Sequence, residues 1–146
     1  MHAINDLCGY TTRIIAGASL ALVVGCAAVG MGERVNLRLT GAEEVPPVTT
    51  AASGSGTITI ESDRSVSGSV RTTGIAATAA HIHEGAAGQN GPVIVPLSKT
   101  GDNDWSVPAG AKLTDSQYQS FKKGNLYVNV HSAAHKGGEI RAQLRP

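Results

Sequence analysis

NLYVNVHS, residues 125 to 132, alternates without a break: Leu126, Val128 and Val130 fall on one side of an extended chain, Tyr127, Asn129 and His131 on the other. A period of two is the pattern of a strand with one face in a hydrophobic core. The same alternation recurs outward from this stretch. In VNLRLTG (35–41), Val35, Leu37 and Leu39 oppose Asn36, Arg38 and Thr40; in GTITIES (56–62), Ile58 and Ile60 oppose Thr57, Thr59 and Glu61. SVSGSVRTTGI (65–75), TAAHIHE (78–84), PVIVPLS (92–98) and EIRAQLR (139–145) bring the expected total to about seven strands, and DWSVP (104–108) would add a short eighth. Pro46-Pro47, Gly74, Gly85 to Gly91, Gly101 to Asp104 and Gly137-Gly138 supply turn chemistry between them. The expectation is an all-β fold, an antiparallel Greek-key sandwich or barrel of about 7–8 strands.

One segment departs from the alternation. LTDSQYQSFKKGN (113–125) offers Thr114 as N-cap, Asp115 in the first turn, Tyr118 and Phe121 three apart, two lysines in the last turn and Gly124 as a stop. It predicts one short helix of about two turns.

The first 25 residues read as a signal rather than as fold. Arg13 precedes IIAGASLALVVG (14–25), an uncharged run too short to span a bilayer as a mature helix. Cys26 follows directly, inside VVGCAA, which resembles the lipobox of bacterial lipoproteins, where the cysteine is lipidated and becomes the new N-terminus. The alternative is plain signal cleavage, with Cys26 removed or left free. The expected organisation is therefore residues 1–25 as a lipoprotein-type signal peptide, 26–34 as lipidated Cys26 and tether, and 35–146 as one domain. Either route takes the chain out of the cytoplasm, and a lipid would hold it at the bacterial cell envelope. Ala27 after the cysteine favours the outer membrane.

Cleavage removes Cys8, so no disulfide framework remains and the fold must rest on a buried core. It also removes Arg13 and Asp6 together, which leaves the formal charge at +1. So even a balance argues against a nucleic-acid partner. The expected partners are a membrane, through the lipid, and an extracytoplasmic protein.

AAHIHEGAAGQNGP (79–92) carries the candidate chemistry. With Ile82 facing the core, His81 and His83 share the outer face of their strand. His131 takes the outer face of the opening stretch, so the three imidazoles converge if the two strands are neighbours. His135, four residues on, would be a fourth and least secure ligand. Clusters of three or four imidazoles suit copper, with zinc second. The plainer alternative is that these are strand-end histidines hydrogen-bonded to loop backbone. Glu139 and Arg141 share a strand face, where they pair with each other or border the cluster. Glu43-Glu44 reads as a loop pair. No G-x-S-x-G, P-loop, dinucleotide fingerprint or cysteine nucleophile is present.

In their order, LTGAEEVPPV, AAHIHEGAAGQNGPVIVPL, LTDSQYQSFKKGNLYVNVHS and GGEIRAQL resemble the chordin-type, or CHRD, domain family over residues 35–145. The resemblance implies a secreted single-domain module and carries no settled activity. The family's usual last block has no histidine at the place of His135. HIHEGAAGQNGPVIVPL is also, more distantly, similar to copper–zinc superoxide dismutases. That similarity implies His81, His83 and His131 as copper ligands and Arg141 at the substrate-guiding position. Its bridging histidine falls on Val93, so it implies no dinuclear site. Three readings follow: a lipid-anchored, non-enzymatic envelope module that binds copper; a mononuclear copper oxidoreductase of dismutase type; and a purely structural or adhesive domain.

Overall fold

The computed structural model describes residues 32–146; the signal-like segment, Cys8, Cys26 and Met31 lie outside the described residues. Nine strands and one α-helix follow in chain order. They are β1 (Glu33–Thr40), β2 (Ser53–Ile60), β3 (Val66–Thr73), β4 (Ala77–Glu84), β5 (Val93–Pro96), β6 (Ser98–Lys99), β7 (Asp104–Ser106), α1 (Asp115–Lys122), β8 (Leu126–Ser132) and β9 (Ile140–Leu144). All belong to one sheet in the order β5-β4-β8-β9-β1-β2-β3-β7-β6, every pairing antiparallel.

The two edge strands of that sheet, β5 and β6, are consecutive in the chain and separated only by Leu97. The sheet therefore wraps back on itself as a nearly closed barrel. Sequence alternation suggests one strand over 92–98; the structure divides it, because β5 pairs with β4 while β6 pairs with β7. Pro96, without an N–H, stands at the end of β5, and Leu97 N donates to Ala80 O before the chain changes neighbours. The short strand anticipated near 104 is β7. Glu33 and Arg34, expected to end the tether, pair instead with Ile60 and Thr59 and open β1.

The core is the set that alternation marks. Leu39, Ile58, Ile60, Leu126, Val128, Val130, Ile140 and Leu144 are fully buried, and Ile82 nearly so. Helix α1 lays Phe121, also fully buried, onto this cluster. Its N-terminus is a capping box: Thr114 Oγ1 accepts from Gln117 N at 3.2 Å, and Gln117 Oε1 accepts from Thr114 N at 2.9 Å. Gly124, at φ 72°, terminates it.

Strands β8 and β9 are buried on both faces, unlike the other strands. On their outer side the Gly-rich loop after β4 lies across Tyr127 and Arg141. It is fastened by Gly91 N donating to Tyr127 Oη (3.0 Å), Gln143 Nε2 to Gly85 O (2.8 Å) and Asn90 Nδ2 to Val45 O (2.7 Å). The loop passes so near β4 that a Cβ on Gly91 would stand 1.7 Å from Glu84 O. Among the described residues no helix is long and apolar enough to cross a membrane.

Candidate metal centre

β4 and β8 are direct neighbours, in a register that sets His81 opposite Asn129, His83 opposite Tyr127 and Ala79 opposite His131. His131 is thus the diagonal neighbour of His81 on the outer face, a spacing that long or aromatic side chains bridge. His81 Nδ1 lies 3.0 Å from His131 Nε2, and one potential ligand atom from each of His81, His83 and His131 lies within 4.8 Å of the others. A metal about 2.0–2.1 Å from each nitrogen calls for N···N separations of about 3–4 Å. The closest pair already meets this, and the widest separation, within 4.8 Å, would have to close by about 1 Å for all three to ligate one ion.

Backbone carbonyls fix two of the rings. His83 Nδ1 bonds Gly91 O and His131 Nδ1 bonds Lys136 O, each at 2.9 Å. A carbonyl only accepts, so both rings carry their proton on Nδ1 and turn a bare Nε2 lone pair inward. With His131 Nε2 an acceptor, His81 Nδ1–H is the donor between those two. Orienting bonds of this kind are what metal-binding histidines use to set tautomer and direction. His83 is buried and its Nε2 has no hydrogen-bond partner among the described residues. An orphaned buried acceptor is unfavourable by about 1–3 kcal/mol, and coordination would relieve it.

All three rings are held below the ordinary histidine pKa, chiefly by burial. Neighbouring imidazoles add to the effect at His81 and His83, and Arg141 adds to it at His83. Their carbonyl bonds oppose the shift at His83 and His131 without reversing it. At neutral pH the cluster is uncharged; the His83 Nε2 lone pair is free, and a metal ion would have to replace the His81–His131 hydrogen bond to take a nitrogen from each of the other two rings.

The other sequence candidates lie elsewhere. His135 is not in the three-ring cluster: its backbone N donates to Ser132 Oγ and its carbonyl accepts from Gly138 N within the β8–β9 turn. Glu139 pairs with Thr50 Oγ1 (2.7 Å), not with Arg141. Burial acts to raise its pKa, but bonds from Ser132 and Thr50 and the proximity of His135 prevail and lower it.

Arg141 is 1% exposed. Its guanidinium lies 3.4 Å over the Tyr127 ring, and its nitrogens reach Ala86 O and Gln143 Oε1 at 3.1 Å. Tyr127 in turn stacks on His83 at 4.8 Å and 11°. Arg141 borders the cluster through that ring, from beneath the loop, and has no open path to solvent. A substrate-guiding arginine would need one.

Glu44, expected with Glu43 as a loop pair, has a role that its sequence context did not reveal. It is buried rather than a loop surface residue, and accepts from Asn129 Nδ2 at 2.6 Å. Burial pushes its carboxyl up to about 7, against the lowering influence of Arg141 and of the Val45 backbone bond. The only trace of this in the sequence is Gly138, at φ 134°, where a Cβ would stand 2.2 Å from Asn129 Nδ2 and 2.8 Å from Glu44 Oε1.

The fold and site define an antiparallel β-barrel module with an imidazole triad that could hold a metal ion on its outer face. The family pattern of the CHRD domain matches residues 35–144, and the chain belongs to that family. No curated protein and no solved structure matches it.

Proposed function

We propose that this CHRD-domain protein is a non-enzymatic binding module of the bacterial cell envelope, anchored by a lipid on Cys26, that captures copper through His81, His83 and His131. The convergence of three neutral imidazoles, two of them oriented by carbonyls, carries the metal assignment. The donor set has no thiolate or carboxylate, and an all-imidazole set ranks Cu(II) above Zn(II) in affinity. The lipobox-like VVGCAA supports the anchor, and the outer membrane is the destination that Ala27 favours.

The burial of Arg141 weighs against the dismutase-type oxidoreductase, whose substrate anion would need that guanidinium in the open. Copper titration of the purified mature domain, beside the His83→Ala variant, tests the metal. The expected result is one tight site in the wild type and its loss in the variant; equal weak uptake by both would overturn the assignment. Metal analysis of protein exported by its own signal should find copper in excess of zinc. Incorporation of labelled palmitate into the wild type but not into Cys26→Ala tests the anchor, and absence of label from both would remove it.

A further inference from the structure

We propose that the metal held by His81, His83 and His131 takes a small carboxylate with a short apolar body as its exogenous ligand, in the cavity on the open side of the triad. This rests on the metal-binding reading above. Three protein nitrogens leave a coordination position unfilled. The buried side of the cluster is closed: the His83 ring stacks on Tyr127 and is tied to Gly91 O. His81 and His131, both half-buried, instead line a cavity of about 450 Å³ together with Thr78, Ala79, Ala133 and Lys136. This cavity is the open approach to the two rings, so an exogenous ligand would reach a bound metal from there.

Its chemistry selects the ligand. The imidazoles are neutral and no carboxylate lines the cavity, so a bound divalent ion keeps its full positive charge there, and the lysine is the only charged side chain in the lining. Both favour an anion. Most of the wall is apolar although Thr78 and Ser132 also line it, two of its residues are alanines, and the volume is far more than a monatomic anion fills. An anionic head with a small apolar tail satisfies metal, ammonium and wall together.

The test uses the copper-loaded mature protein, with butyrate as probe and the visible and EPR spectra of Cu(II) as readout. Butyrate should produce a saturable spectral change that butyramide, of the same shape but uncharged, does not. Lys136→Gln should weaken butyrate about fivefold or more, read on protein kept saturated with copper so that any change in copper affinity does not enter the measurement. Ala133→Phe should exclude butyrate but still admit formate. No spectral change at any butyrate concentration that leaves the protein folded, or an equal response to butyramide, overturns the proposal and leaves the metal site standing. Butyrate affinity unchanged in Lys136→Gln also overturns it. Failure of the wild type to take up copper at all removes the metal reading, and this proposal with it.

Discussion

His81 and His131 stand 50 residues apart in the chain, and their ring nitrogens meet at 3.0 Å. The contact is a consequence of register. β4 and β8 run antiparallel with Ala79 opposite His131, which brings the His81 ring diagonally across onto it. A slip of one residue would turn one ring of the pair into the core.

Removing a ligand should separate the three clustered histidines from the fourth. Alanine at His81, His83 or His131 is expected to lower copper affinity by more than the ~10–100-fold typical of losing an orienting partner. Alanine at His135 should change it little, because that residue lies outside the cluster. Competition with a calibrated chelator measures all four, and a His135→Ala loss equal to the others would contradict the geometry.

Glu44→Gln should alter stability in a defined pH window. The Glu44 carboxyl titrates near 7 in the folded protein against an ordinary 4.5, so the folded state holds the proton more tightly. Its contribution is fully present below about 4.5 and is lost as pH rises through about 7, so wild type should lose about 2–3 kcal/mol relative to the variant across that span. Denaturant unfolding at several pH values reads the difference, and parallel curves for the two proteins would refute it.

The histidines act with the opposite sign. Their folded pKa values lie below the ordinary value, so the unfolded chain binds protons more readily. The stability they confer is complete above about pH 6.5 and lost as pH falls through their lowered folded values. In the metal-free Glu44→Gln background, where the opposing titration is gone, stability should fall on acidification below that point. Replacing His83 by Gln should flatten the fall; an unchanged slope would show that the ring does not titrate as its burial requires.

The neighbouring glycines 137 and 138 should respond oppositely to alanine. Gly138 holds φ 134° and has Asn129 and Glu44 where a Cβ would go, whereas nothing lies within 4 Å of a Cβ on Gly137. Gly138→Ala should destabilise by about 2–3 kcal/mol, and Gly137→Ala should stay within about 0.5 kcal/mol of wild type. Thermal unfolding of the pair decides it, and equal effects would mean the Asn129–Glu44 contact does not restrict the turn.

Helix α1 should show a similar ranking. Phe121→Ala removes a fully buried ring and is expected to cost about 3–5 kcal/mol, while Thr114→Ala removes one half of the capping box at about 1 kcal/mol. A cap mutation as damaging as the core mutation would place the helix outside the core.

The strands, the helix with its Thr114 cap, and the face taken by each histidine were legible because each depends on neighbours a few residues away. Alternation at Ile82 and at Val128 and Val130 is enough to send His81, His83 and His131 outward. The division of 92–98 between two strands was not legible, since it follows from which neighbours β5 and β6 find on closing the barrel. Nor were the carbonyls of Gly91 and Lys136 that orient two of the rings, because any residue supplies a carbonyl and only loop geometry aims it.

By itself, the sequence determined an antiparallel β-domain with one capped helix and three outward imidazoles, because period-two burial and capping are local properties of the chain. Tertiary structure alone decided that β4 lies beside β8, that Glu44 is buried against Asn129, and that Arg141 is shut beneath the glycine-rich loop. Those outcomes depend on register and loop coverage between distant segments, and burial there changes the chemistry of groups that residue type leaves open.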